Sequence, residues 1–453
     1  MRLLSFIAAL FLLAAAISSG KAAETTPSHF DTESFVLDNG LQVVVIPQRR
    51  VPVVTHMIFY KAGGADEEPG QSGIAHFFEH LMFKATSTHE SGAFETAVKA
   101  VGGSQNAFTT NDFTAYFEQV PPDALGEMMA FEADRMRNLV LDDEAIETER
   151  RVVMEERLMR VDNAPGGILR ETLAATLYQN HPYGRPVIGW MHELEKLGRE
   201  QLKAFYDRYY RPNNAVLVVA GDIDTETVRK LATETYGKLE RGPDLPPRTR
   251  PMEPEPRVER TVLLRDPRVS LPSFSRRWFA PAVFSEDRKA ADALMLLTTI
   301  LGGGERSRLY QELVVKKRIA SSAGAGMSTE LRDYSEIGVF ARPLDAEKLQ
   351  EVESAVNAEI EKLATEEVPV QELNTAKKVL ASRMMLSWES QMARAMDVGT
   401  TLMTGGTVED VDEIRKRIDA VTADDIREAA RRYLTLERGV TGYLLPADAE
   451  DPA

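Results

Sequence analysis

The stretch Gly-Ile-Ala-His-Phe-Phe-Glu-His-Leu-Met-Phe at residues 73–83 determines how the rest of the chain is interpreted. On a helix, His76 and His80 lie one turn apart and project from the same face. Two imidazoles so placed can each donate a nitrogen to a tetrahedral zinc ion. Glu79 reaches the edge of that face, where a carboxylate can take a proton from water that a metal has acidified. The pattern His-x-x-Glu-His therefore predicts a hydrolytic zinc site, and the alternative is an amphipathic core helix with two hydrogen-bonded histidines.

The composition narrows the range of partners. A chain of 453 residues with 43% hydrophobic residues can form several packed domains. Its formal net charge of −16 argues against nucleic acid or an anionic membrane surface as the main partner. The chain contains no cysteine, which excludes disulfides and a lipid-anchored cysteine.

Residues 1–23 have the pattern of a cleavable signal peptide. Arg2 supplies the positive charge, residues 3–17 form an apolar run, and residues 18–23 are mostly small. An uncleaved anchor is the alternative, but the run is short for a membrane span. The sequence thus predicts a periplasmic or otherwise exported protein with no membrane span after signal cleavage.

Patterns of strands and helices predict two related halves. An Asn-Gly turn at Asn39 joins two β-rich runs, which is a strong hairpin signal. A helix that ends in tyrosine and leads into a β-rich strand occurs twice, at 199–221 and at 423–445. We therefore predict an α+β fold of two duplicated α/β-roll domains, each a mostly antiparallel sheet packed with helices. The predicted boundaries are an N-terminal zinc-binding domain at 30–240, a linker at 241–258 and a C-terminal domain without metal at 259–447.

The repeat is chemically asymmetric. All seven histidines lie between His29 and His192, so the second half cannot form a histidine-based zinc site. A catalytic zinc ion usually has three protein ligands, and two histidines leave one to be found. An acidic helix supplies three candidates, which are Glu149, Glu155 and Glu156.

With these residues in view, the chain resembles the pitrilysin-like (inverzincin) zinc metallopeptidases. The resemblance is to their short form, which includes the beta subunit of the mitochondrial processing peptidase, and it spans essentially the whole mature chain. It rests on the motifs at 73–80, 102–109, 149–156 and 302–304, taken in order and spacing.

The resemblance implies a role for each matching residue. His76, His80 and Glu156 would bind Zn²⁺, and Glu79 would act as the general base. Glu149 would orient a ligand histidine, although a solvated helix glutamate is the simpler interpretation of that residue alone. The same resemblance implies that peptide substrate would bind as an added strand at a sheet edge. The residues at that edge would be Asn106, Ala107 and Phe108. An ordinary internal strand is the alternative for those three.

One departure from the family pattern bears on partners. The family's second half supplies an arginine and a tyrosine to the zinc site, and those positions fall here on Val314 and Ser321. If the alignment is shifted by a few residues, one of the basic residues 316–318 could stand at the arginine position. The tyrosine would still be missing, because no tyrosine lies between Tyr310 and Tyr334. The chain therefore resembles the zinc-bearing half of a heterodimer whose related partner provides both groups in trans, and a homodimer is also possible.

Together these features predict an exported zinc metalloendopeptidase for extended or short peptides. By analogy with the family, the peptides would enter a chamber between the halves that a mobile linker closes. The competing hypothesis is a non-catalytic peptide-binding or assembly scaffold of the same fold.

Overall fold

The computed structural model describes residues 32–449, so the predicted signal peptide at 1–23 lies outside the described residues. None of the helices in this range is long and apolar enough to cross a membrane. The strands are β1 Glu33–Val36, β2 Gln42–Pro47, β3 Val54–Tyr60, β4 Ser104–Thr109, β5 Thr114–Val120, β6 Ala215–Gly221, β7 Arg260–Arg265, β8 Ser273–Pro281, β9 Ala320–Ser328, β10 Tyr334–Pro343 and β11 Gly439–Leu445.

The helices surround two sheets. They are α1 Ile74–Leu81, α2 Ala93–Ala100, α3 Leu125–Asn138, α4 Asp143–Arg157, α5 Pro165–Leu177, α6 Met191–Leu194, α7 Arg199–Tyr209, α8 Thr225–Glu234, α9 Arg288–Gly302, α10 Leu349–Thr365, α11 Val370–Ser387, α12 Gln391–Thr404, α13 Val408–Ala420 and α14 Ala423–Tyr433. Two segments, Leu158–Asp162 and Tyr310–Lys316, are π-helical.

The two sheets share one topology, except that the first has an additional edge strand, β1. The first has the strand order β1-β2-β6-β3-β5-β4, and the second has the order β7-β11-β8-β10-β9. In each sheet one pair is parallel, β2 with β6 and β7 with β11, and the other pairs are antiparallel. The predicted repeats α7–β6 and α14–β11 occupy equivalent places. The predicted fold class of duplicated, mostly antiparallel α+β halves is confirmed.

The first hairpin shows how local sequence sets register. Gly40 has a φ of +90°, a conformation that glycine adopts without steric cost. The Leu37 N–H donates to the Leu41 carbonyl across the turn, and Val36 then pairs with Gln42. The register buries Val43 and Val45 in the core beneath the motif helix. The predicted Asn-Gly hairpin is confirmed.

Each sheet is covered on one face by a helix that belongs to the other half of the sequence. Helix α12 packs on β3 and β6 of the first sheet, and its Gly399 lies directly against the ring of Phe59. Helix α5 packs on β7 and β11 of the second sheet, where a Cβ on Gly442 would lie 2.7 Å from Leu173 Cδ1. We call this arrangement the reciprocal helix exchange, and it joins the two halves through apolar contacts.

The linker is held in place by ionic contacts with both halves. Arg250 is paired with Asp66 and Asp112 of the first half and with Asp333 of the second. Glu253 accepts hydrogen bonds from the backbone N–H groups of residues 179 and 180, at 3.0 and 2.7 Å. The Arg250 pairs with Asp66 and Asp112 are buried, so removing one partner would leave an uncompensated charge. The linker, which family analogy predicts to be mobile, thus contacts both halves in this structure.

Candidate metal centre

Helix α1 is anchored at both its apolar face and its N-terminus. Ile74, Phe77 and Leu81 are buried in the first core. The carboxylate of Glu67 accepts hydrogen bonds from the backbone N–H of Gly73, at 3.0 Å, and from that of Ala75, also at 3.0 Å. Burial raises the pKa of Glu67 to about 8, against the lowering effect of these N–H groups and of a nearby arginine. Glu67 thus satisfies donors that the first turn of a helix leaves unpaired.

The entry to α1 depends on two glycines packed against each other. Gly73 has a φ of +87° and Gly189 has a φ of +85°. A Cβ on Gly73 would lie 2.7 Å from the Ile188 carbonyl oxygen and 2.8 Å from Gly189 Cα. The segment containing Gly189 therefore fixes where the motif helix begins.

Replacing Gly73 with alanine is expected to destabilise the protein by about 2–4 kcal/mol, because a left-handed alanine is strained and the methyl group collides with backbone. Gly92 is a matched control, since it precedes α2 with a φ of +82° and has open space at its Cβ. Gly92→Ala should cost only the backbone strain, about 1 kcal/mol. Urea unfolding of both variants measures the difference, and equal losses would refute the role of the close approach.

Helix α4 brings its acidic residues to α1. Asp142 caps the helix by accepting from the Ala145 N–H at 2.7 Å, and an acidic side chain is favourable at this end of a helix. At the other end, the guanidinium of buried Arg157 donates to the Gly189 carbonyl at 2.7 Å and pairs with Glu171 at 2.8 Å. The same Gly189 segment thus holds the start of α1 and the end of α4.

Three predicted ligands converge where α1 crosses α4. The possible ligand atoms of His76, His80 and Glu156 all lie within 4.8 Å of one another. Glu156 Oε2 is 3.5 Å from His76 Nε2 and 3.3 Å from His80 Nε2. Among residues 32–449, this is the group of histidine and acidic residues whose geometry could hold a metal ion. Glu155 is exposed and points away from it, as its position on the helix predicts.

Glu149 lies beside the cluster rather than within it. Its Oε2 is 3.3 Å from His80 Nδ1, on the opposite side of the ring from Glu156. Its other oxygen is paired with Lys84, one turn after His80 on the chain. A carboxylate on the far nitrogen of a ligand histidine fixes the tautomer and orientation of the ring.

The carboxylates around the two histidines favour a positive charge at the centre of this cluster. Burial works to lower the pKa of His80, but the nearby carboxylates of Glu149 and Glu156 outweigh it and raise that pKa to about 9. Burial lowers the pKa of His76 to about 4. The nearby imidazole of His80 is the main cause of a lowered pKa at Glu156. Two carboxylates thus hold a proton on His80 that a metal ion would displace.

The residues present fit a zinc ion. Two imidazoles and one carboxylate are a donor set that catalytic zinc takes, with one position left for water or substrate. Glu156 Oε2 is buried without a hydrogen-bond partner, although two imidazole nitrogens face it. A buried acceptor without a hydrogen-bond partner costs folding free energy, and a metal ion bound to it would remove that cost.

Glu79 lies next to the cluster and is linked to the edge of the first sheet. The hydroxyl of Thr109, the last residue of β4, donates to Glu79 Oε2 at 2.6 Å. Burial raises the pKa of Glu79, and the Thr109 hydrogen bond works against that rise. Thr109 therefore orients the carboxylate that the motif predicts as a base.

The residues predicted to bind peptide, Asn106, Ala107 and Phe108, lie on β4. This strand is at the edge of the first sheet and pairs only with β5 among the described strands. Asn106 is exposed, whereas Ala107 is buried. The internal-strand interpretation is therefore wrong, and β4 has a free backbone edge next to Glu79.

The two residues that depart from the family pattern both lie in the second half. Val314 packs against the second core from the π-helical segment, and Ser321 Oγ donates to the Arg342 carbonyl at 3.2 Å. Of the basic residues nearby, Lys316 is paired with Glu312 at 3.2 Å. Neither Val314 nor Ser321 carries a charge or a phenol.

Sequence reasoning missed three residues that shape the site, namely Glu67, Lys84 and Arg157. Lys84 follows His80 by four positions, so helix spacing could have placed it on the face of His80. Glu67 and Arg157 act on backbone groups across loops, and no local pattern marks such contacts.

Comparison with known proteins agrees with this geometry. A family model described as "Insulinase (Peptidase family M16)" matches residues 42–190, which include the cluster. A second, described as "Peptidase M16 inactive domain", matches residues 196–380, in the half without histidines.

Individual relatives span nearly the whole chain. "Zinc protease PqqE" of Helicobacter pylori is 32% identical over 95% of this chain and 95% of its own length. The "Probable mitochondrial-processing peptidase subunit beta" of Schizosaccharomyces pombe is 28% identical over 89% of each chain. The crystal structure of a protease from Helicobacter pylori superposes with a TM-score of 0.87 at 31% identity, covering 92% of this chain and 100% of that one. The chain belongs to the M16 family of zinc peptidases, the pitrilysin-like family that its motifs resemble.

Proposed function

We propose that this protein is an exported zinc metalloendopeptidase that hydrolyses extended or short peptides. The observation that carries the proposal is the convergence of His76, His80 and Glu156 beside Glu79. A scaffold has no physical need for three ligands with an orphaned acceptor and an adjacent, oriented carboxylate. Export is supported by the signal pattern at 1–23.

The chain's own residues divide the chemistry among them. His76, His80 and Glu156 would hold Zn²⁺, which when bound supplies Lewis acidity that acidifies water and polarises a peptide carbonyl. Glu79 accepts the proton of the attacking water and returns it to the leaving amine. Its raised pKa brings it closer to the range in which a carboxylate both takes and gives a proton.

Substrate would be positioned by the free edge of β4. A peptide paired with Asn106, Ala107 and Phe108 would run toward Thr109, whose hydroxyl is bonded to Glu79. Backbone pairing recognises an extended strand with little demand on side chains. This arrangement suits a peptidase with varied substrates.

A second chain would complete the site. Val314 and Ser321 cannot stabilise the oxyanion of a tetrahedral intermediate, which requires donors of positive charge or strong hydrogen bonds. We therefore propose a related subunit that supplies an arginine and a tyrosine in trans, as a heterodimer, with a homodimer as the alternative.

Replacing Glu149 with glutamine is expected to weaken zinc binding by about 10- to 100-fold, because the amide holds His80 less firmly and removes a negative charge behind it. A competition titration with a chromophoric chelator measures the affinity. Glu147→Gln, on the exposed side of α4, is the control and should leave the affinity unchanged. Equal affinities in both variants would rule out a role for Glu149.

The proposed function is tested by hydrolysis of a quenched fluorescent peptide library, with and without a zinc chelator. Chelator-sensitive cleavage by the lone chain would support the peptidase and refute the need for a partner. No cleavage by a chain that retains about one zinc ion would support an enzyme that requires its partner. No cleavage and no bound zinc would favour the scaffold.

A further inference from the structure

A cavity of about 620 Å³ lies where the linker crosses between the two halves. It is separate from the metal centre, and four cationic side chains line it. Arg208 is paired with Glu68, and the other three come from three parts of the chain. Lys61 follows β3 in the first half, Arg248 belongs to the linker, and Arg332 precedes β10 in the second half. Leu402 and Met403, at the end of α12, close one side.

Lys61 lies among cations. Among residues 32–449, no carboxylate oxygen is within 4 Å of its partly buried ammonium group. Burial lowers the pKa of Lys61, and the nearby charges of Arg248 and Arg332 lower it further. Its backbone is fixed by Asn214, whose carbonyl accepts from the Lys61 N–H at 2.9 Å, so the side chain starts from a rigid position.

Arg248 has an unused donor in the same place. Its Nη1 donates to the Asp112 carbonyl at 2.9 Å, and its Nε is 3.5 Å from Asp66. Nη2, in contrast, is buried and has no hydrogen-bond partner. Arg332 is 4.0 Å from the nearest carboxylate oxygen, on Asp333, and over a third of its side chain is exposed.

The acidic residues around the cavity lie closest to cations other than Lys61 and Arg332. Asp66 is bonded to Arg250 at 2.9 Å and also lies 3.5 Å from Arg248 Nε. Glu68 is paired with Arg208, and Asp244 is paired with Arg241. Glu67 points its carboxylate at the N-terminus of α1, as described above. No carboxylate among the described residues is therefore paired with Lys61, which leaves positive charge at the part of the cavity that Lys61 and Arg332 line.

We propose that this cavity is a binding site for a small phosphate-type oxyanion, held by Lys61, Arg248 and Arg332. Guanidinium and ammonium groups form short, charge-assisted hydrogen bonds with phosphate oxygens, and among the described residues no carboxylate within 4 Å of Lys61 competes for such an anion. The cavity is larger than a single phosphate ion, so a phosphate monoester also fits. The anion would bridge the first half, the linker and the second half, and its binding would stabilise their association.

Isothermal titration of the full mature chain with sodium phosphate tests the site, with sodium chloride at equal ionic strength as the reference. The chain is first stripped of metal, so that phosphate cannot bind to zinc. The wild type should bind saturably, and Lys61→Gln and Arg332→Gln should each raise the Kd by at least about tenfold. Lys416→Gln removes an equal charge from an exposed site on α13 and should leave the Kd unchanged.

Two further measurements complete the test. Phosphate should raise the melting temperature of the wild type and of Lys416→Gln, but not that of Arg332→Gln, whose exposed side chain makes it the safer variant for folding. A titration with glycerol phosphate distinguishes a phosphate ester from the free ion. If glycerol phosphate binds as tightly as inorganic phosphate, the site accepts phosphate esters. If only inorganic phosphate binds, the ligand is the free ion. The absence of saturable binding, or wild-type affinity in both cavity variants, would overturn the proposal.

Discussion

Replacing Glu79 with glutamine is expected to reduce kcat by about 10²- to 10⁴-fold while zinc stays bound. The amide keeps the shape of the side chain and can still bond to Thr109, but it cannot accept a proton from water. His76, His80 and Glu156 are unchanged, so the metal content should remain about one ion per chain. Steady-state hydrolysis of a quenched peptide, with zinc measured by mass spectrometry, gives both values.

The control for this variant is Glu155→Gln. Glu155 is an exposed glutamate on α4 that faces away from the cluster, and its replacement should leave kcat and zinc unchanged. If Glu79→Gln hydrolysed peptide at the wild-type rate, another group would be the base. If the lone chain is inactive, the comparison is made in the reconstituted complex with the partner subunit.

Replacing Glu156 with glutamine is expected to weaken zinc binding by more than about 100-fold and to reduce hydrolysis to background. A neutral amide is a poor ligand for zinc, and the two remaining histidines leave the ion with too few protein donors. The same change removes one of the two carboxylates that hold a proton on His80. Zinc content after dialysis and a competition titration measure the loss.

Glu155→Gln is again the matched control, because the two glutamates are adjacent and only Glu156 faces the histidines. Circular dichroism separates loss of metal from loss of fold. Full zinc occupancy in Glu156→Gln would show that a different residue is the third ligand.

The sheet strands were the most predictable part of the fold. Their bounds follow from short β-branched runs between turn residues, so that β6 and β11 end where the sequence predicts, at 221 and 445. The sequence has a helical pattern from Asp123 to about Asn180, but the structure divides this stretch into α3, α4, a π-helical segment and α5. Helical periodicity does not show where packing bends a helix.

The second half was less predictable beyond its strands. The sequence after the triple glycine at 302–304 predicts a further helix, and the segment Tyr310–Lys316 that follows is π-helical rather than α-helical. The linker at 241–258 was predicted from its prolines and charges, but that composition does not show that Arg250 is bonded to aspartates in both halves. Such pairs depend on residues more than 80 positions apart.

The candidate site was predictable because its chemistry is concentrated in two short helical motifs. Spacing alone placed His76 and His80 on one face, and the resemblance selected Glu156 rather than Glu155. Lys84 and Glu67 carry no comparable signal, since a lysine or a glutamate near a helix end is common for reasons of solubility. Only the fold shows that Lys84 contacts Glu149 and that Glu67 contacts the N-terminus of α1.

Because of the reciprocal helix exchange, residues 32–449 cannot be divided at the linker into two halves that each keep a complete core. A fragment that ended at the linker would carry every proposed zinc ligand, yet it would lose α12 and expose Phe59 and its neighbours on the outer face of the first sheet. Such a patch promotes aggregation. The first half is therefore not expected to fold as a minimal enzyme, and any opening between the halves has to flex a shared core instead of separating two independent bodies.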